Sequence, residues 1–255
     1  MAIFHELKLI HAHNPRCGGT SINKAFASCL NIPPAALTPK KYSYHYLYGL
    51  HKTRGNYYEL DHLTFAMILD AIPQWVANEY QAFVVVRHPW DRFVSEYTRK
   101  ITAGCKRFIN PLSISFETYC LRFLEKMARV FDSSHPHELR GINHFDACHF
   151  LHQYLYAGLD LPESGSTPRP RLIRIQDVNR ELPGLCGEHA GAVSAILNRP
   201  LNSHRQTIPE ERAAQIANLD RSIQSEIETF YAKDYELFGY EPAASKQTLG
   251  SAAAD

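Results

Sequence analysis

The sequence predicts an α/β fold, a mostly parallel sheet flanked by helices in three layers, α/β/α. Three observations predict it. An apolar run at Lys8–His13 passes through Gly18-Gly19 straight into a helical pattern. A β-branched run, Phe83-Val84-Val85-Val86, passes through Pro89 into a second helical pattern. A third short apolar run, Arg171–Ile175, again precedes helical segments. Strands that alternate with helices build parallel sheets, and an unbroken β-branched run fits a strand buried on both faces.

Taken in order, Lys8–His13 is the first strand, and Thr20-Ser21 offer hydroxyls to cap a helix running to about Leu30. Residues 31–60, with Pro33-Pro34, Pro39 and six tyrosines, read as irregular. Asp61 reads as the cap of a helix that carries Leu63, Ala66 and Met67 and ends before Pro73. The strand at Phe83–Val86 leads to a helix from Pro89 to about Lys100, since Pro favours a first helical turn. Residues 102–114 read as a loop; Ser115–Val130 and Phe145–Ala157 read as helices. The Pro/Gly/Ser-rich stretch 160–170 is a break, followed by the strand at Arg171–Ile175 and two helices within 178–198. After Pro209, the spacing of Ile216, Leu219, Ile223, Ile227 and Phe230 predicts one amphipathic helix. The tail, 243–255, is small and polar, a composition that does not order by itself.

The 255 residues allow a sizeable core, and 45% hydrophobic with 21% charged residues is an ordinary globular composition. A formal charge of +1 gives no global attraction to nucleic acid or to an anionic membrane, so any anion site must be local. No apolar run reaches the roughly 18–20 residues of a membrane span, and MAIFHELKLIHAHNP is too polar for a secretory signal. Cytoplasmic location is the expectation. The six cysteines include no CxxC and read as reduced thiols; the fourteen histidines form no metal motif, and no metal is expected.

Two stretches carry the chemistry. In 10-IHAHNPRCGGTSINKAF-26, a strand, a glycine turn and a helix start gather backbone N–H groups around one point, where the helix dipole adds positive charge. Arg16 adds a bidentate cation, and Thr20 and Ser21 add hydroxyls. By itself the stretch is equally a capped junction that binds nothing. It lacks the Gly-Lys-Ser/Thr that places Lys on the terminal phosphates and a hydroxyl on magnesium. In 83-FVVVRHPWDRFVSEYTRK-100, Arg87 stands at a strand's carboxyl end, where open α/β sheets bind ligands, and Ser95 lies two turns into the next helix. Arg92 and Arg99 read most simply as solvated helix charges, whereas Arg87, directly after a buried run, requires a partner.

Together these stretches resemble the PAPS-dependent sulfotransferases, and among them the carbohydrate (heparan 2-O-sulfotransferase-like) branch with many bacterial members. His13-Asn14-Pro15-Arg16-Cys17-Gly18-Gly19-Thr20-Ser21 matches that family's "HIPKTGGTS". Arg87-His88-Pro89-Trp90-Asp91-Arg92-Phe93-Val94-Ser95-Glu96-Tyr97 matches its "RNPxDRxxSxY", about 70 residues on. Weaker likenesses follow at Gln153-Tyr154-Leu155, Leu172–Leu182, Leu201-Asn202-Ser203, and Tyr231, Asp234, Phe238 and Tyr240. The resemblance implies one P-loop-like sulfotransferase domain over residues 1–242. Its first loop, Arg16, Cys17, Gly18, Gly19, Thr20 and Ser21, would hold the 5′-phosphosulfate of PAPS. Arg87 and Ser95 would hold the 3′-phosphate. The family's base lies in a "GHxxF/A" segment between the two motifs, which here is 60-LDHLTFA-66 and assigns the role to His62. Arg16 stands where the family has Lys on the bridging oxygen, a wider and planar cation. Cys17 replaces Thr and, at a helix start, is expected to be oxidation-prone.

The implied reaction is transfer of a sulfuryl group to a hydroxyl, and the implied partners are PAPS, PAP and a carbohydrate or other hydroxyl acceptor. The acceptor would lie among the tyrosines of 42–58 and the loops 102–114 and 160–170, where Lys106, Arg107, Arg169 and Arg171 are either anion contacts or solubilising charge. Two alternatives differ in class: a P-loop kinase, which would need magnesium, and a non-catalytic member that binds PAP or a glycan.

Overall fold

The computed structural model describes residues 1–31, 62–106, 108–131, 147–162, 169–198 and 208–242. The tyrosine-rich segment, Asp61, most of the 160–170 break, Leu201-Asn202-Ser203 and the tail lie outside these residues. Strands β1 (Ala2–Phe4) and β2 (Leu9–Ala12) lead into α1 (Gly19–Cys29). Helices α2 (Phe65–Ala71) and α3 (Gln74–Glu79) precede β3 (Gln81–Val86), which runs into α4 (Pro89–Thr102) and α5 (Phe116–Val130). A 3-10 turn at Cys148–Phe150 and the single turn α6 (Gln153–Tyr156) lead to β4 (Arg171–Arg174). Then come α7 (Val178–Glu181), α8 (Ala190–Leu197), α9 (Glu210–Ala217), α10 (Arg221–Phe230) and α11 (Ala232–Phe238).

The class is α/β, with a four-stranded mixed sheet in the order β1-β2-β3-β4. β2–β3 and β3–β4 are parallel; the departure from a parallel sheet is β1, an antiparallel edge strand on β2. The chain forms two compact units interleaved in sequence, Met1–Arg87 with Gln153–Ser203, and His88–His152 with His204–Asp255. The sheet lies in the first unit.

In that unit one sheet face contributes Leu9, Phe83, Val85 and Ile173 to a core closed by Phe26 of α1 and Val193 of α8. Phe26 meets Phe4 edge-on at 4.7 Å and Phe83 at 5.9 Å. Ile10, Ala12, Ala82, Val84 and Val86 are buried as well, so β2 and β3 are covered on both faces, as their unbroken apolar runs require. The cap of α1 is Gly18, not Thr20 or Ser21: Gly18 takes φ +80°, and its carbonyl accepts from Ser21 N and Ile22 N.

In the second unit, Phe93, Phe116, Phe123, Ile227 and Tyr231 form an aromatic-rich core. Ser115 caps α5 by accepting from Thr118 N at 3.1 Å, where the sequence places the helix start. The helix expected from Pro209 to Phe230 is two helices, α9 and α10. Asp220 accepts from Ser222 N and restarts the chain as α10. Its apolar residues still reach the core. The helix expected over 145–157 is likewise broken, into the 3-10 turn and α6.

Helix α4 carries buried charge. Arg92, Glu96 and Lys100, spaced by four, share one face and are each at most 2% exposed. Glu96 accepts from Arg99 Nε at 2.8 Å and pairs with His149 Nδ1 at 2.9 Å. Arg92 bonds the Tyr231 hydroxyl, which donates to the Phe150 carbonyl at 2.8 Å. Neither arginine is the solvated helix charge that the sequence suggests: Arg92 is buried, and Arg99 is half-buried against Glu96.

Candidate active site

The site is built at the carboxyl end of the sheet in the first unit. β2 ends at Ala12, and His13–Cys17 carry the chain to α1. Arg16 adopts φ +66° and Gly18 φ +80°, two left-handed residues that turn the loop under the helix start. Gly18 and Thr20 are exposed, and Arg16 and Ser21 half-buried. The N–H groups of Gly19 and Thr20 open the helix and have no acceptor within it. The loop's six predicted residues therefore stand together.

Gly19 is required by its neighbour. A Cβ there would lie 2.0 Å from His13 Cδ2 and 2.1 Å from its Nε2. We expect Gly19→Ala to push the imidazole aside and cost about 1–3 kcal/mol by overpacking; thermal denaturation reads this as a lowered Tm.

His62 lies beside that imidazole. Its ring is 4.4 Å from the His13 ring, and its Nδ1 is 3.1 Å from the His13 carbonyl. A carbonyl only accepts, so Nδ1 is the donor of this bond, and in the neutral ring the lone pair then falls on Nε2. One sequence expectation is corrected here. His62 is not at a helix start behind an Asp cap; it sits in a turn at φ +59°, and α2 begins after Thr64. The main chain just after β2 orients it, through the His13 carbonyl. His11, beneath, stacks on Phe83 at 4.7 Å and bonds Asn23 Oδ1 at 2.7 Å. Burial lowers its pKa to about 4 against the opposing Asn23 bond, so it stays neutral.

Cys17 is 1% exposed, and its thiol donates to the Pro15 carbonyl and to Gln153 Oε1, each at 3.5 Å. It is shielded, contrary to the oxidation-prone thiol expected at a helix start. All six cysteines are free thiols; burial pushes Cys120 and Cys186 up to about 12.

Arg87 follows β3, half-buried, with Nη1 3.5 Å from the Arg16 carbonyl. Its main chain is held by the Gln153 amide: Arg87 N donates to Oε1 at 2.9 Å, and Nε2 donates to Arg87 O at 2.7 Å. Asn14 Nδ2 donates to the same Oε1 and to the Val85 carbonyl, both at 3.0 Å. Asn14 and Gln153 are the residues to which sequence reasoning gave no role. A polar Asn between a strand and a Pro was the available signal for Asn14. Ser95, half-buried on α4, belongs to the second unit.

A family model described as "Sulfotransferase family" matches residues 1–151, more than half the chain, including the loop, His62, β3 and α4. The chain belongs to the sulfotransferase family. No curated protein and no solved structure matches it. Sulfuryl transfer is thus the reaction class of this sulfotransferase, which sets the kinase alternative aside. No helix among the described residues is long and apolar enough to cross a membrane.

Proposed function

We propose that this sulfotransferase uses PAPS as donor and transfers its sulfuryl group to a carbohydrate hydroxyl, with His62 as general base. The observation that carries the reading is the His62 Nδ1 bond to the His13 carbonyl, which ties a proton-accepting Nε2 to the strand leading into the phosphate loop. Bound PAPS would supply an activated sulfuryl group whose transfer needs no metal. The loop fits its 5′ end: two open N–H groups at the start of an eleven-residue helix, two exposed residues that allow close approach, and the Arg16 cation. Arg16 would neutralise charge that develops on the leaving oxygen. His62 Nε2 would take the acceptor hydroxyl's proton. Arg87 would read the 3′-phosphate, a second anion that ATP lacks.

In the second unit, Phe108 and Asn110 with Arg122, Lys126 and Arg129 of α5 line a groove against one acid, Glu125. This balance favours a saccharide that bears carboxylate or sulfate. The test is transfer of label from sulfur-labelled PAPS, with magnesium chelated, to an acidic polysaccharide, a neutral glycolipid and a simple alcohol. Label on the acidic polysaccharide is expected; no label on any acceptor would contradict the reading.

Arg87→Ala should weaken PAP binding about 10- to 100-fold, the loss of a charge-assisted phosphate contact, and leave AMP binding unchanged. Calorimetry with both nucleotides measures it.

A further inference from the structure

We infer that Gln153 is a positioning residue that sets the phosphate loop and the Arg87 strand end in register, so that one buried amide governs recognition at both ends of the donor. This rests on the donor reading proposed above. Gln153 is fully buried, and its amide makes four contacts. Two are to the main chain of Arg87, one in each direction. β4 pairs with β3 as far as Val86 opposite Arg174. The Gln153 amide supplies the next rung, at Arg87. It holds that residue's backbone where a further strand residue would, while the guanidinium is directed toward the Arg16 carbonyl at 3.5 Å.

The other two contacts are to the loop. Oε1 accepts from Asn14 Nδ2 at 3.0 Å and from Cys17 Sγ at 3.5 Å. Asn14 and Cys17 flank Pro15-Arg16, so the same oxygen that fixes Arg87 N also fixes both shoulders of Arg16. A primary amide carries an acceptor and a donor side by side at any pH, as a carboxyl does only when protonated. A carboxylate would face the Arg87 carbonyl with no proton to give; an aliphatic side chain would leave Arg87 N–H, Arg87 C=O and Asn14 Nδ2 without their partner in a buried place.

The signature differs from that of a residue that merely stabilises. Arg87→Ala alters only the PAP-over-AMP preference. Gln153→Leu should lower that preference about tenfold or more, toward the Arg87→Ala value, and should weaken AMP binding as well, because the loop loses its anchor. Residues in one network are not additive, so the double variant should lose little preference beyond the worse single variant.

The experiment is calorimetric titration of PAP and AMP into wild type, Gln153→Leu, Arg87→Ala and the double variant, with Tm measured for each. Should Gln153→Leu not fold, Gln153→Glu takes its place. Its side chain is isosteric, and once protonated it can again donate to the Arg87 carbonyl, so lowering the pH should restore its PAP-over-AMP preference relative to wild type at the same pH. A folded Gln153→Leu with lowered Tm but wild-type nucleotide preference would overturn the inference and leave the donor reading standing. A Gln153→Glu whose preference ignores pH would also overturn it. An Arg87→Ala that keeps wild-type PAP preference would overturn the donor reading and this inference with it.

Discussion

His62→Asn should lower kcat by about 10²–10⁴, the usual contribution of a general base, and leave PAP affinity unchanged. The Asn amide N–H takes the Nδ1 position and donates to the His13 carbonyl, so the turn and the His13 ring on Gly19 keep their places. It cannot take a proton. The acidic limb of the rate–pH profile, which reports protonation of the base, should disappear in the variant. Steady-state kinetics with labelled PAPS and calorimetry with PAP separate the two effects. A parallel fall in PAP affinity would mean that His62 is a donor contact and not the base.

Glu96→Gln should cost about 3–5 kcal/mol at neutral pH, because it removes the anion from a buried set of cations. Glu96 is 1% exposed and lies among Arg99, His149 and Lys100 on the inner face of α4. Burial alone would raise its pKa. The His149 charge and the Arg99 bonds outweigh burial and hold the carboxyl well below the ordinary carboxylate range. The sign follows from that depression. Unfolded Glu titrates near ~4.3, so above that pH the folded state holds its full advantage. As pH falls below it, the unfolded chain binds protons first and the advantage shrinks; it is lost only when the folded carboxyl itself protonates. The Tm gap between wild type and Glu96→Gln should therefore narrow as pH falls below about 4. A gap that widens in acid would contradict the pairing.

Where apolar pattern and local chemistry agree, the fold was legible. The Val84-Val85-Val86 run, Pro89 at the first turn, Asp91 in that turn and Arg99 and Lys100 in the last locate β3 and α4 nearly to the residue. β1 was not legible, because three residues show no periodicity, and it owes its place to pairing with β2. The C-terminal stripe was read correctly as core-facing but wrongly as continuous. Hydrophobic spacing survives a break when the chain restarts in phase, and Asp220 was the overlooked cap.

The site divides the same way. The loop residues and Arg87 lie at strand ends, which local pattern locates. His62 was singled out by residue type and order, but it was placed at a helix start behind Asp61, whereas a carbonyl 49 positions away orients its ring in a turn. The role of Gln153 depends on contacts with residues 66 and 139 positions distant, which no local pattern encodes. The buried Arg92 and the half-buried Arg99 passed as surface charge because helical spacing places a stripe without saying which way it faces.

The central claim is that this sulfotransferase reads both phosphates of PAPS. Titration of the full chain with PAP and with AMP, in chelator, tests it most directly. PAP binding about 10- to 100-fold tighter than AMP is predicted, the worth of one more charge-assisted phosphate contact. Equal affinities, or no PAP binding, would contradict the account.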